Sequence, residues 1–123
     1  MVNHQSTRHR NTTLSIEDLA ALRENLHEQR LFRLEQLQQL SAAAHRPQAL
    51  SDRRAASQTE VRVKLAASAR MVLADVEAAL VRMEQGRYGA CHLCRRPIAR
   101  DRLIIVPQAR YCGRCQQVRE AGR

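Results

Sequence analysis

Cys91-His92-Leu93-Cys94 and Cys112-Gly113-Arg114-Cys115 contain all four cysteines of the chain, as two Cys-x-x-Cys pairs with seventeen residues between their inner members. Two such knuckles offer four thiolates to a tetrahedral ion, and the spacer is long enough to bring them face to face. The spacing predicts structural zinc, one ion per chain, ligated by Cys91, Cys94, Cys112 and Cys115. With protein sulfur filling every coordination position, no open site remains for water or substrate, so such an ion staples a fold and performs no hydrolysis. Two disulfides or a redox dithiol are the competing uses of the same residues. His92 lies between two ligands and could replace one, but four sulfurs already complete the shell, which favours a non-ligand place on the knuckle turn. No nucleophile, base and orienting group stand in a recognisable arrangement, so no enzyme is expected.

The opening stretch MVNHQSTRHRNTT has no apolar signal region, and no run is apolar and long enough to span a membrane. The expectation is a protein of the reducing cytoplasm. With 123 residues and three aromatics (Phe32, Tyr88, Tyr111), the chain cannot build a large globular core. Its formal charge of +9 is unevenly spread: residues 15–85 carry ten basic and ten acidic side chains, whereas residues 86–123 carry nine arginines against Asp101 and Glu120. Four thiolates and a zinc ion would contribute about −2, which leaves the cysteine module strongly basic and points to an acidic partner.

The elements that must position this module are helical. Residues 1–14 are polar, basic and without periodicity, as in a flexible tail. Ser15 and Asp18 form a capping-box pattern, and Leu19, Leu22, Leu26, Leu37, Leu40 and Ala44 share one face of a helix running to about Ala44. Arg30 and Arg33 interrupt that face. Arg46-Pro47 stops the helix, and Arg46 to Ala56 should form a polar turn. From Ser57, a second stripe (Val61, Leu65, Ala69, Val72, Val76, Ala79, Leu80, Met83) ends at Gly86. Two long helices with a short connection fold back antiparallel. Beyond Gly86, Leu103-Ile104-Ile105-Val106 before Pro107 reads as a strand, with Arg110-Tyr111 as the return, and Gln116 to Ala121 as a terminal helical turn or two. The expected fold is mainly α: an antiparallel coiled-coil hairpin over 15–85 with its tip at about 46–56, then a four-cysteine zinc finger and short helix over 86–123. It is expected to be a monomer.

The stretch Met83-Glu84-Gln85-Gly86-Arg87-Tyr88-Gly89-Ala90-Cys91-x-x-Cys94, with Pro97-Ile98, Arg102-Leu103, Pro107-x-Ala109 and Tyr111-Cys112-x-x-Cys115-Gln116, closely resembles the DksA/TraR zinc-finger family of bacterial transcription regulators. The resemblance implies a cytoplasmic bacterial protein that binds RNA polymerase directly, inserting its hairpin into the secondary channel and modulating initiation. By the same analogy the tip faces the polymerase active centre; the charge asymmetry adds the expectation that the basic head, through Arg95, Arg96, Arg100 and Arg102, meets an acidic channel rim. Three features depart from the family. Arg95 follows the second cysteine where glycine is usual, so that turn must be strained or differently shaped. The paired tip aspartates of DksA-like members align with Gln48 and Ser51, leaving Asp52 as the nearby carboxylate; Asp52 could equally cap the second helix. The cations that contact guanosine tetraphosphate align with Asp75, Val106 and Gln116, which predicts a weak or absent alarmone response. A zinc ribbon holding nucleic acid nonspecifically at low salt, or a thiol redox sensor, are the alternative functions. Neither the sign of any effect on transcription nor the target promoters can be read from the residues.

Overall fold

The structure is a computed structural model that describes residues 14–45 and 52–122. Most of the expected tail (1–13) and the tip residues 46–51 lie outside the described residues. Four helices are present among the described residues: α1 (Ile16–Ala44), α2 (Asp52–Glu84), α3 (Arg100–Ile105) and α4 (Gly113–Ala121). Their 29 and 33 residues make α1 and α2 rods of about 44 and 50 Å.

Each long helix is punctuated by its own sequence. Ser15 caps α1 through a full capping box: the Asp18 amide donates to Ser15 Oγ at 3.0 Å, and the Ser15 amide donates to Asp18 Oδ2 at 3.1 Å. At the far end of α2, Gly86 adopts φ +71 and donates to the Met83 carbonyl, while the Arg87 amide donates to that of Arg82. These two bonds close a left-handed helix stop that glycine enters without steric penalty. The start of α2 differs from expectation. Residues 52–56 are helical, so the polar turn is shorter than Arg46 to Ala56. Arg53, Arg54, Ala55 and Ala56 carry no apolar period to mark a helix, yet arginine and alanine are good helix formers.

The two helices pack antiparallel. Leu22 and Leu26 of early α1 share one buried cluster with Val76, Ala79 and Met83 of late α2, whereas Leu37, Leu40 and Ala44 line a gap with Thr59, Val63 and Ala66. Burial is graded along the hairpin. Leu26, Val76 and Ala79 are fully buried at the base, but Val61, Val63 and Leu65 toward the tip are 55, 62 and 45% exposed. A gap of about 420 Å³ separates the helices there. Arg30 and Arg33 sit at the margin of the apolar face. Arg30 donates to Glu77 Oε2 across the hairpin at 3.1 Å, and Arg33 donates to Gln36 and lies over the Phe32 ring at 5.2 Å.

The base cluster does not stop at the hairpin. Cys91, Ile98 and Leu103 of the head belong to it, with Leu14, Tyr88, Ala109 and Tyr111 packed around. Leu14, expected in the tail, thus packs against the core. Gly89, at φ +91, lets head and helix approach: a Cβ there would stand 3.6 Å from Leu103 Cδ1 and 3.8 Å from Leu14 Cδ1.

The expected strand at Leu103 to Val106 is overturned. Arg100–Ile105 is helical, and among the described residues the head has only one isolated antiparallel bridge, between Ala90 and Pro97. Leu103 alone is fully buried, while Ile104 and Ile105 are 48 and 79% exposed. A strand on this core would bury alternate residues and need a paired neighbour. Here one leucine plugs the core, and the Arg102 and Leu103 amides turn back to the Ala99 carbonyl. An apolar β-branched run this short does not by itself distinguish helix from strand.

Candidate metal centre and the arginine-rich head

The first knuckle is a tight turn after the Gly89–Ile98 pairing. The Ile98 amide donates to the Gly89 carbonyl at 2.7 Å, the Cys91 amide to that of Arg96 at 2.9 Å, and the Arg95 amide back to that of Cys91 at 3.0 Å. Closing this turn places Arg95 at φ +65, a left-handed conformation that favours glycine. Of the two outcomes expected for Arg95 in a glycine position, a strained or a differently shaped turn, the backbone adopts the strained one. The second knuckle opens α4, where Cys112 serves as N-cap and its sulfur accepts from the Cys115 amide at 3.4 Å. The two knuckles are tied by the His92 amide donating to the Arg110 carbonyl at 2.8 Å. Tyr88 anchors the loop between them, its hydroxyl donating to the Pro107 carbonyl at 2.8 Å.

These bonds gather Cys91, Cys94, Cys112 and Cys115 so that all four sulfurs lie within 4.8 Å of one another. Cys94 and Cys112 are 3.9 Å apart, close to the sulfur separation of about 3.8 Å that four Zn–S bonds of 2.3 Å impose on a tetrahedron. No disulfide joins any two of them. The donor set fits one structural zinc ion. Burial works against ionisation of Cys91, but the amides of Cys94, Cys112 and Leu93 outweigh it and bring the thiol down to about 6. Cys115 is pushed up to about 12, first by its contact with the Cys112 thiol and then by burial. Four crowded sulfurs cannot all ionise unaided, and a divalent cation removes that conflict. Cys91 is fully buried and Cys94 is exposed, so the centre is rooted in the core on one side and open to solvent on the other. His92 stands apart from this cluster. It is exposed, its ring lies edge-on to Tyr111 at 6.0 Å, and burial together with Arg82, Arg110, Arg87 and Arg95 holds its pKa below the usual imidazole value.

The four arginines expected to meet a partner divide into two pairs. Arg95 and Arg96 are exposed. Arg100 instead grips Asp18 with both forks, Nε to Oδ2 at 3.0 Å and Nη2 to Oδ1 at 2.9 Å, and Arg102 donates to the Tyr111 carbonyl at 2.9 Å. One carboxylate thus caps α1 and holds α3. The Arg100 hydrogen bond, the Ser15 amide and the Ser15 hydroxyl keep the Asp18 carboxyl well below the ordinary carboxylate range. Sequence reading found Asp18 as a cap and missed the latch, whose partner is 82 positions away. Asp52 is the exposed first residue of α2. Asp75, Val106 and Gln116 line one cavity of about 400 Å³, with Asp75 paired to Arg110 at 2.9 Å. Arg82, unremarked in the sequence, is 8% exposed.

Residues 86–121 match the prokaryotic dksA/traR C4-type zinc finger. The head thus carries a finger of the DksA/TraR type. An uncharacterized protein of Aquifex aeolicus (strain VF5) is 38% identical over 52 residues, which amounts to 41% of this chain and 36% of that relative. The chain therefore spans about a third of that relative's length. Across almost the whole chain, the fold is similar to the solved structure of transcription factor DksA2 from Pseudomonas aeruginosa. The TM-score is 0.76 at 22% identity, covering 89% of this chain and 88% of that one. The DksA-like architecture thus extends beyond the DksA/TraR finger into the helical hairpin. Among the described residues no helix is long and apolar enough to cross a membrane.

Proposed function

We propose that this protein is a non-enzymatic, cytoplasmic bacterial transcription regulator that binds RNA polymerase through its head and inserts the hairpin into the secondary channel. The observation that carries the reading is the joint presence of a DksA/TraR finger and a hairpin superposable over 89% of the chain on a solved DksA2 structure. A rod of about 50 Å, fixed at its base by a stapled head, suits reaching into a recess. Of the four arginines expected at the rim, Arg95 and Arg96 are the exposed ones. Arg100 and Arg102 serve the fold instead, which also weakens the case for a nucleic-acid-binding ribbon. Asp52, exposed at the start of α2, is the tip carboxylate assigned to the active-centre side. The alarmone is expected to have at most a minor effect. The cavity lined by Asp75, Val106 and Gln116 also holds Glu120, and Asp75 already neutralises Arg110.

The test is co-purification with RNA polymerase at moderate salt, using the full chain, a chain lacking residues 46–56, and an Arg95→Glu, Arg96→Glu variant. Binding should survive tip deletion and fall with charge reversal, whereas transcription effects should vanish with the tip. Retention on DNA but not on polymerase would overturn the reading.

A further inference from the structure

Two cavities flank the head, and their charge differs. The one containing Asp75 and Glu120 is lined by two carboxylates. The other is a groove of about 750 Å³ between late α2 and the first knuckle, with Ala78 and Val81 along one wall and Arg82, Arg87, His92 and Arg95 around them. No carboxylate lines it. Its volume falls within the range of about 300–1,000 Å³ common for small-molecule sites.

Arg82 is the decisive residue. It lines this groove, is more than nine-tenths buried, and is the buried charged residue of the described chain. Among the described residues it has neither a hydrogen-bonded nor an ion-paired partner. Asp75, a carboxylate whose charge reaches it, is occupied by Arg110. Burial, and then Arg110, lower its pKa from the ordinary guanidinium value, and Tyr88 and Asp75 oppose that effect. Arg87 donates only to the neutral amide oxygen of Gln85, and Arg95 is exposed and held in place by a left-handed turn. The Arg82 guanidinium, without a bonded anion, joins the exposed Arg87 and Arg95 around one groove, and three guanidinium groups so placed describe the complement of a multiply charged oxyanion. Cys91 also lines the groove, and a zinc ion held by the four thiolates would bring about −2 in total, which offsets only part of this charge.

We propose that this groove binds a small phosphate-bearing molecule, its oxyanion held by Arg82 with Arg87 and Arg95 and its apolar portion lying on Ala78 and Val81. A dianionic phosphate ester matches three guanidinium groups better than a single carboxylate does, and their planar forks suit its oxygens.

The test is calorimetric titration of the zinc-loaded full chain with inorganic phosphate, phenyl phosphate and phenol. Phenyl phosphate should bind one to one and more tightly than inorganic phosphate, and phenol should give no saturable binding. Arg82→Met should weaken phenyl phosphate binding by about tenfold or more, the scale of a lost charge-assisted contact. Because a buried substitution can disturb folding, Arg95→Gly provides the second variant. It removes a groove cation while suiting φ +65, so affinity should fall with no loss of melting temperature. Arg114→Gln, an exposed charge change outside the groove, should leave affinity within about twofold. Absence of saturable binding, or an equal loss from Arg114→Gln and Arg95→Gly, overturns the proposal.

Discussion

Removing zinc with a chelator under reducing conditions should unfold the head and leave most of the hairpin helical, at reduced thermal stability. The size of the effect follows from the elements. The zinc-dependent helices α3 and α4 contribute 6 and 9 residues, against 29 and 33 for α1 and α2. Ellipticity at 222 nm in the cold should therefore fall by about a fifth, since only the metal-stapled segment loses the binding free energy, on the order of 10 kcal/mol, that folds it. The hairpin does not escape unharmed. Cys91, Ile98 and Leu103 cover the cluster formed by Leu22, Leu26, Val76 and Met83, and the Asp18–Arg100 latch and Leu14 lose their partners with the head. Each uncovered large apolar side chain costs about 1.5–3 kcal/mol, so the melting temperature should drop well beyond the few degrees of a surface change. Circular dichroism melts with and without chelator, paired with zinc analysis, provide the measurement. An unchanged melting curve in metal-free protein would refute the stapling argument. Complete loss of helix in the cold would refute the separability of hairpin and head.

Leu26→Ala, at a fully buried position of the base cluster, should destabilise the protein by about 3–5 kcal/mol in denaturant titration, whereas Phe32→Ala, at 61% exposure, should cost under about 1 kcal/mol. Asp18 has a folded pKa depressed from 3.8, so its contribution is fully present above that unfolded value and is lost as pH falls below it. The gap in melting temperature between wild type and Asp18→Asn should accordingly stay constant from pH 7 to about pH 5 and shrink only below about pH 4. A gap that closes near neutrality would show that the latch has another chemical basis.

What sequence could and could not reveal here follows from how far each determinant acts. Ser15, Asp18 and Gly86 speak through hydrogen bonds within a turn of themselves, and the helix ends they announce appear where expected. The cysteine pairs were equally plain, because zinc imposes a local ligand spacing and the tetrad closes as that spacing requires. Leu103 to Val106 misled because β-branched residues favour strands only when a neighbour pairs with them, and this head supplies none. The second helix starts before Ser57 because Arg53 and Arg54 propagate a helix without any apolar stripe to reveal it. Arg100 looked like a surface cation because nothing local identifies a partner 82 residues away. Arg82 gave a faint clue, lying beside Ala79 and Met83 on a stripe otherwise apolar.

The graded burial of the hairpin divides its positions between two kinds of selection. At the base, a substitution at Leu26 or Val76 is judged by whether the molecule folds. Toward the tip, Val61, Val63 and Leu65 stay largely exposed beside a 420 Å³ gap, so changes there weigh lightly on stability. The far half of the rod is therefore free to be rewritten by whatever surface it meets, while the near half is written by the fold.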